Sequence, residues 1–384
     1  MHPRTILFIA NFFFSALTAL VGYILLPYLS TLMPAAYTGL VVAGGGLTAV
    51  IFFPLLPRLV GRYGAQQLAL VFALVEMVAL FVLAAAPGAF ASVLLVILMV
   101  ALQPFLSYEF DLLLEATDAG DGTTGRIRAI FLTAWNAGAF VAPLLIGAIL
   151  ASSDAYGRVF IAAAAAAVPF LVLLAARRLP SGDRPKPSPM IDSLACILHD
   201  RDLTAVSVGH IILWLFYVWA PLYTPIYLHN VLGFSWTDLG WIFSIMLIPY
   251  VVIEYPAGWI ADRFIGDKEL MFAGFLIAGA ALASVSLLTS SSSLILILSI
   301  LIASRCGAAL VESMTEGHFF RRMSERDVNS VSIFRGAWPI AYVIAPLTGS
   351  VILFFGNYQL LFALTGGFIA LGGVIATFQI KDFR

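Results

Sequence analysis

The sequence predicts an all-α polytopic membrane protein: twelve transmembrane helices in two six-helix, pseudo-symmetric bundles. Three observations predict it. Of 384 residues, 61% are hydrophobic and 11% charged, with a mean hydropathy of +1.01, so there is too little charge to cover a water-facing surface. The apolar residues gather in runs of roughly 20, the length of helix that crosses a bilayer. The halves of the chain also repeat. Ile130-Phe131-x-x-Ala134-Trp135 recurs as Ile333-Phe334-x-x-Ala337-Trp338, Ala142-Pro143-Leu144 recurs as Ala345-Pro346-Leu347, and Glu109 falls on Glu312, all at one constant offset.

The runs place spans at 5–33, 38–57, 66–86, 90–116, 128–151, 156–177, 203–228, 237–260, 269–289, 293–318, 328–355 and 358–379. The first is too long for a signal-peptide core and has no cleavage-site pattern, so it reads as a retained span. The connections 2–3, 4–5, 6–7, 8–9 and 10–11, with the termini, carry basic residues such as Arg4, Arg58, Arg62, Arg126, Arg128, Arg184, Lys268 and Arg384, whereas the opposite loops carry only Arg158. Positive charge stays on the cytoplasmic side, which puts both termini there and requires an even number of spans.

Between spans 6 and 7 the composition changes. The stretch RRLPSGDRPKPSP reads as a linker. In MIDSLACILHDRDL, Met190, Leu194 and Ile197-Leu198 share a helical face that leaves out Asp192, His199 and Asp200, the pattern of a short amphipathic helix on the membrane surface. The domains are therefore 1–177, a linker 178–202, and 203–384. Cys196 and Cys306 lie far apart without metal-ligand neighbours and read as free thiols. Ala162 to Ala167 reads as a small-residue packing face.

The chain is organised around EYPAGWIADRFIGDKE, Glu254 to Glu269, where the eighth run ends and the ninth begins. Gly258 permits close helix approach, Asp262-Arg263 set opposite charges at the water boundary, and Gly266 turns the chain. This resembles the loop signature of the major facilitator superfamily, G-x-x-x-D-R-x-G-R-R, with one extra residue before the second glycine and Asp267-Lys268 in place of the basic pair. The counterpart in the first half runs from Pro57 through Arg58 and Arg62 to Gly64, with Gly61 where the acid belongs. The resemblance covers nearly the whole chain. It implies two parallel halves with a site at their shared midplane, and it implies that Asp262 faces the start of span 5 near Arg126 or Arg128, where helix N-terminal charge favours a carboxylate. A solvated helix end is the plainer reading of Asp262-Arg263. Pro143 and Pro346 weakly resemble the fifth-span motif of family antiporters, which tilts the reading towards export.

Two polar stripes follow helical spacing: Asn11, Ser15, Thr18 and Gly22 in span 1, and His210, Trp214, Tyr217 and Pro221 in span 7. Polar atoms facing lipid would lack partners, so these faces look inward, either to a cavity or to interhelical packing. Trp338 and Tyr108 join the expected cavity. Ionisable groups inside spans mark function. Arg305, at mid-bilayer, needs a carboxylate, a carbonyl-rich pocket or an anionic ligand. Asp111, Glu115, Glu254, Glu312, Glu316 and Arg335 lie in the cytoplasmic third, where they either gate or pair permanently, and Glu109 stands beside the Tyr108, Asp111 and Glu115 stripe of span 4. Glu76 stands alone in span 3. With Glu109, Asp111, Glu312 and His210 it is a candidate for carrying protons, or simply for bonding a neighbouring helix.

The expected function is movement of a small organic solute across a membrane by alternating access, proton-coupled by family resemblance, in a prokaryotic inner membrane. An importer of the same fold and a non-transporting sensor or scaffold are the rivals. The sequence has no H-E-x-x-H and no Gly-flanked nucleophilic serine, so no enzyme is expected. No cofactor, metal or nucleic acid is expected either, and the chain is expected to act as a monomer in the lipid bilayer.

Overall fold

The computed structural model describes residues 2–117, 124–180, 197–322, 334 and 336–380. Among them the regular structure is helical, and twelve helices are long and apolar enough to cross a membrane. Most spans are single helices: α1 Pro3–Ser30, α4 Ala65–Ala84, α5 Ala89–Glu115, α6 Thr124–Leu150, α7 Tyr156–Ala175, α8 Arg201–Ile226, α12 Asp267–Ser284, α13 Leu294–Arg322, α14 Ala337–Phe355 and α15 Tyr358–Phe378. The second span is α2 Ala35–Phe52 and α3 Leu56–Tyr63, joined by a short 3-10 turn. The eighth is broken into α9 Trp236–Ile245, α10 Ile248–Val252 and α11 Glu254–Arg263.

The second helix runs on past the expected end at Pro57 to Tyr63. Proline fits the first turn of a helix, where its missing N–H costs nothing, so Pro57 starts α3 rather than ending the span. Gly64 and Gly266 then turn the chain into α4 and α12 at φ +85° and +98°. That left-handed region suits glycine, so both turns of the repeated loop use one device. Gly258 does not do what was expected of it: a Cβ there would meet no described atom within 4 Å. Close backbone approach in the second half is seen instead at Gly279 and Gly366, between α12 and α15, and at Gly274 and Gly307, between α12 and α13.

The chain divides into two compact units. Unit 1 is Met1–Pro187 with Leu228–Ser244; unit 2 is Ser188–Tyr227 with Ile245–Arg384. In unit 1, Phe14, Phe110 and Phe170 stack on one another, joining α1, α5 and α7. Ala163, Ala164 and Ala167 are fully buried, as the alanine run suggested. Gln66 ties the start of α4 to the end of α7, donating to the carbonyls of Leu174 and Arg177 and accepting from the Leu179 N–H. Arg4 ties the start of α1 to the Thr117 carbonyl at 2.8 Å.

Leu228–Ser244 joins unit 1 through polar and close-packed contacts. Ser244 donates to the Phe140 carbonyl (2.7 Å). Tyr23 stacks on Phe243. A Cβ on Gly147 would collide with the Trp236 carbonyl oxygen, and one on Gly240 with the Pro143 carbonyl oxygen. In unit 2, the Asp200 side chain caps α8 by accepting from the Asp202 N–H, and Asn357 caps α15. The expected amphipathic helix lies almost wholly outside the described residues, as do Cys196 and the lower part of the expected eleventh span; Cys306 is a free, half-buried thiol.

Candidate functional site

The polar stripe of α8 meets α13 and α14 in one aromatic cluster. His210, 5% exposed, lies flat against Phe334, with ring centroids 3.8 Å apart. It accepts at Nε2 from the Trp214 indole N–H at 2.9 Å, which leaves Nδ1 as the hydrogen-bearing nitrogen of a neutral ring. Trp214 stacks on Trp338. Tyr217 packs edge-on against Trp214 and Tyr250 and donates its hydroxyl to Glu312 Oε2 at 2.5 Å. Pro221 removes an amide hydrogen from the same face, freeing the Tyr217 carbonyl. The structure thus brings His210, Trp214, Tyr217, Glu312 and Trp338 together. It adds Phe334 and Tyr250, which apolar patterning alone does not distinguish from packing residues.

Arg305 makes a different set of contacts in unit 2. It is 2% exposed, its guanidinium sits over the Phe216 ring at 5.2 Å, and Nη1 donates to Ser304 Oγ at 3.0 Å. Nη2 has no hydrogen-bond partner among the described residues. A ring face and a hydroxyl are modest compensation for a buried cation, so the spare edge of the fork suits an anionic or carbonyl-rich group.

In unit 1 the α1 stripe is turned onto α6. Asn11 donates to the Phe131 carbonyl at 2.8 Å and Ser15 to the Trp135 carbonyl at 2.6 Å, which is the interhelical packing alternative for these two residues. Thr18 Oγ1 has no hydrogen-bond partner among the described residues. Glu109 is fully buried with neither carboxyl oxygen bonded among the described residues, and Glu76, 1% exposed, leaves Oε1 unbonded. Tyr108 packs against Phe53, Asp111 is half-buried, and Glu115, Glu316, Arg58, Arg62 and Arg263 are exposed. Arg62 and Arg263 each lie over a ring of their own helix, Tyr63 and Trp259. The side chains of Arg126, Arg128, Glu254 and Asp262, and all of Arg335, lie outside the described set, so the expected latch at Asp262 does too.

One cluster escaped sequence reading. His318 sits between Asp202 and Asp267, 3.1 Å from one carboxylate and 3.2 Å from the other, with side-chain exposures of 1%, 0% and 9%. A neutral imidazole has one N–H, so two bonds to carboxylate oxygens require a further hydrogen, on the ring or on a carboxyl. The available signal was position: Asp202 and Asp267 open α8 and α12, and His318 closes α13. Charges at span ends read as solvated.

With this geometry in view, the comparisons with known proteins decide the family. The family model described as Major Facilitator Superfamily matches residues 7–314 and, again, 220–382. The chain belongs to the Major Facilitator Superfamily. Facilitator structures resemble it along its length. A crystal structure of the peptide transporter POT in complex with sulfate has a TM-score of 0.76 at 14% identity, covering 97% of this chain and 93% of that one. One of the nucleoside transporter NupG has a TM-score of 0.78 at 12% identity, covering 99% of this chain and 100% of that one. At such identities the likeness is of fold. No curated protein matches the sequence.

The facilitator repeat is visible in the contacts. Asn11 meets Phe131 where its counterpart His210 meets Phe334, and Ser15 meets Trp135 where Trp214 meets Trp338. The helix pairing is shared, whereas the chemistry is not: unit 1 spends the stripe on backbone carbonyls, and unit 2 presents rings and a carboxyl. This is a multi-pass membrane protein with a transporter fold, and solute transport is the activity that its family supports.

Proposed function

We propose that this facilitator moves a small organic solute with an anionic or strongly polar group by alternating access, coupled to protons. The observation that carries the reading is Arg305: a buried guanidinium with a spare donor edge, on the same unit as a wall of His210, Trp214, Tyr217 and Trp338. Binding selects one of two pre-existing forms, so a solute that takes up the donor edge shifts their balance by its differential affinity. Glu312 under the Tyr217 hydroxyl and the buried Glu109 and Glu76 are the proposed proton carriers, since a carboxyl in apolar surroundings exchanges a proton when its surroundings change. Of the α1 stripe, Thr18 alone is proposed to meet solute, because Asn11 and Ser15 bond carbonyls of α6; the two halves of the chain are proposed to be 1–177 and 203–384.

The fifth-span pattern at Pro143 and Pro346 favours export over import, and the distribution of arginine and lysine favours both termini in the cytoplasm of a cell bounded by this membrane. The chain is proposed to act as a monomer. The test is counterflow in liposomes with panels of acidic, neutral and basic solutes, followed by inverted vesicles under an imposed proton gradient. Saturable counterflow of acidic solutes, with accumulation that a proton conductor abolishes, supports the reading. No counterflow for any panel would leave a scaffold, and accumulation only in right-side-out vesicles would make it an importer.

A further inference from the structure

Where α8 ends, the backbone loosens into a π-helical turn, Tyr227–Val231, the kind of helix defect often found at functional positions. His229 lies in that turn with both ring nitrogens engaged. Nδ1 is 2.7 Å from the Phe234 carbonyl oxygen and Nε2 is 2.8 Å from Asp154 Oδ1. A carbonyl oxygen only accepts, so Nδ1 carries a hydrogen. A carboxylate only accepts, so Nε2 carries one too. Both bonds therefore form when the ring is an imidazolium. The Trp236 ring lies 4.4 Å from the His229 ring, a placement that favours a cation. Trp236 Nε1 and the Tyr156 hydroxyl also donate to Asp154 Oδ1, at 3.4 and 3.2 Å.

The cluster holds Leu228–Ser244, which comes from the second half of the sequence, to the connection between α6 and α7. Asn230 reaches Ser30 at 3.5 Å on the same side, and Gly147 against Gly240 and Ser244 on Phe140 continue the seam along α6. The charged and titratable groups around His229 among the described residues are few. Asp154 and Tyr156 bond as above, Arg158 follows on α7 and is exposed, and Asp238 on α9 is held by the Ser235 hydroxyl at 2.6 Å.

We infer that Asp154, His229 and Trp236 form a proton-operated latch on the non-cytoplasmic face, closed while His229 is an imidazolium and released when it gives its proton to water. Histidine changes charge within about pH 5 to 8, the range over which the outside of a cell varies. Loss of one ring hydrogen leaves a lone pair facing either the carboxylate or the carbonyl, so one bond becomes a repulsion. Asp154 itself is held as a carboxylate: partial burial works against the charge, but the bonds from His229, Trp236 and Tyr156 outweigh it and keep its pKa below the ordinary value. The latch rests on the transporter reading for its purpose and on the charge distribution for its sidedness, not for its chemistry.

The test uses the full chain in liposomes, with Cys196→Ser and Cys306→Ser and spin labels on Ser152→Cys and Val231→Cys, both exposed positions. Pulsed spin-resonance distances are read at external pH of about 5.5 and about 8.5, spanning histidine's charge change. A short separation should dominate at the lower pH. The ratio of long to short should rise about threefold at the higher one, a modest factor because the Asp154 side chain is 57% exposed and its ion pair is screened. His229→Gln should give one ratio at both pH values, and Asp154→Asn should raise the long population already at the lower pH. An unchanged wild-type distribution, or the same rise in His229→Gln, overturns the latch. If only one variant folds, the other decides. A response to internal instead of external pH overturns the sidedness. Because the distance needs no solute, an intact pH response in a protein that shows no counterflow supports the latch while removing the transport reading.

Discussion

Tyr217 donates its hydroxyl hydrogen to Glu312 across 2.5 Å, from α8 to α13. A hydrogen bond to a carboxylate contributes about 1.5–3 kcal/mol, and here it joins the polar stripe of one helix to an acid that the sequence repeat had already paired with Glu109. Tyr217→Phe removes the donor and keeps the ring against Trp214. The expected outcome is normal expression with turnover reduced about tenfold and a displaced pH optimum in proteoliposome counterflow. Wild-type turnover and an unmoved optimum would show that this bond is only a strut.

Much of the architecture was legible because a bilayer leaves few solutions: apolar runs of one length and a repeat at a constant offset read directly as twelve helices. The α8 stripe was legible for the same reason, since His210, Trp214 and Tyr217 fall at helical spacing along one face. Other features had no such contrast. Phe334 looks like any buried phenylalanine until His210 is found on its face. The Asp202–His318–Asp267 cluster looks like three helix ends, because linear spacing cannot show that three different helices end at one point. Gly258 was assigned a close contact from its motif, but which glycine meets a neighbour depends on helix rotation, and Gly274, Gly279, Gly307 and Gly366 are among those that do. Pro57 read as a span boundary, yet it lies in the first turn of a further helix.

Arg305 offers a second prediction. Its fork is half used, with Nη1 on Ser304 and Nη2 without a hydrogen-bond partner among the described residues. If an anionic solute completes it, Arg305→Ala loses the charge-assisted bonds and Arg305→Lys keeps charge without the fork. In a thermal-shift screen, acidic solutes should stabilise the wild type, stabilise the lysine variant less, and leave the alanine variant unmoved, with affinity down roughly tenfold to a hundredfold. Equal stabilisation of wild type and Arg305→Ala by the same acids would end the proposal.

The turn glycines give a prediction that is independent of function. Gly266 has φ +98° and Gly64 φ +85°, where an L-residue with a Cβ is strained by about 1–2 kcal/mol. A Cβ at Gly64 would find open space, so strain there is not mixed with a clash. Gly64→Ala and Gly266→Ala should each lower the detergent-solubilised melting temperature by a few degrees, whereas Gly258→Ala, with open space and no positive φ, should leave it unchanged or raise it slightly.

Asp154 gives the pH dependence with a definite sign. Its pKa is lowered in the folded protein, because the bonds from His229, Trp236 and Tyr156 outweigh the desolvation that opposes them. A depressed carboxyl pKa means that the unfolded chain binds the proton more readily, so the stabilisation is present in full above the unfolded value of about 3.9 and disappears as pH falls through the lower, folded value. The side chain is 57% exposed, so screening limits the contribution to a few tenths of a kcal/mol up to about 1. Asp154→Asn should therefore melt about 1–3 °C below the wild type at pH about 6. The gap should narrow as the pH falls below the ordinary carboxyl value and close only once the wild-type carboxyl has taken up the proton that makes it resemble the amide. A gap that persists unchanged at the acidic end would mean that Asp154 contributes through shape rather than charge, and one that opens only there would reverse the sign of the argument.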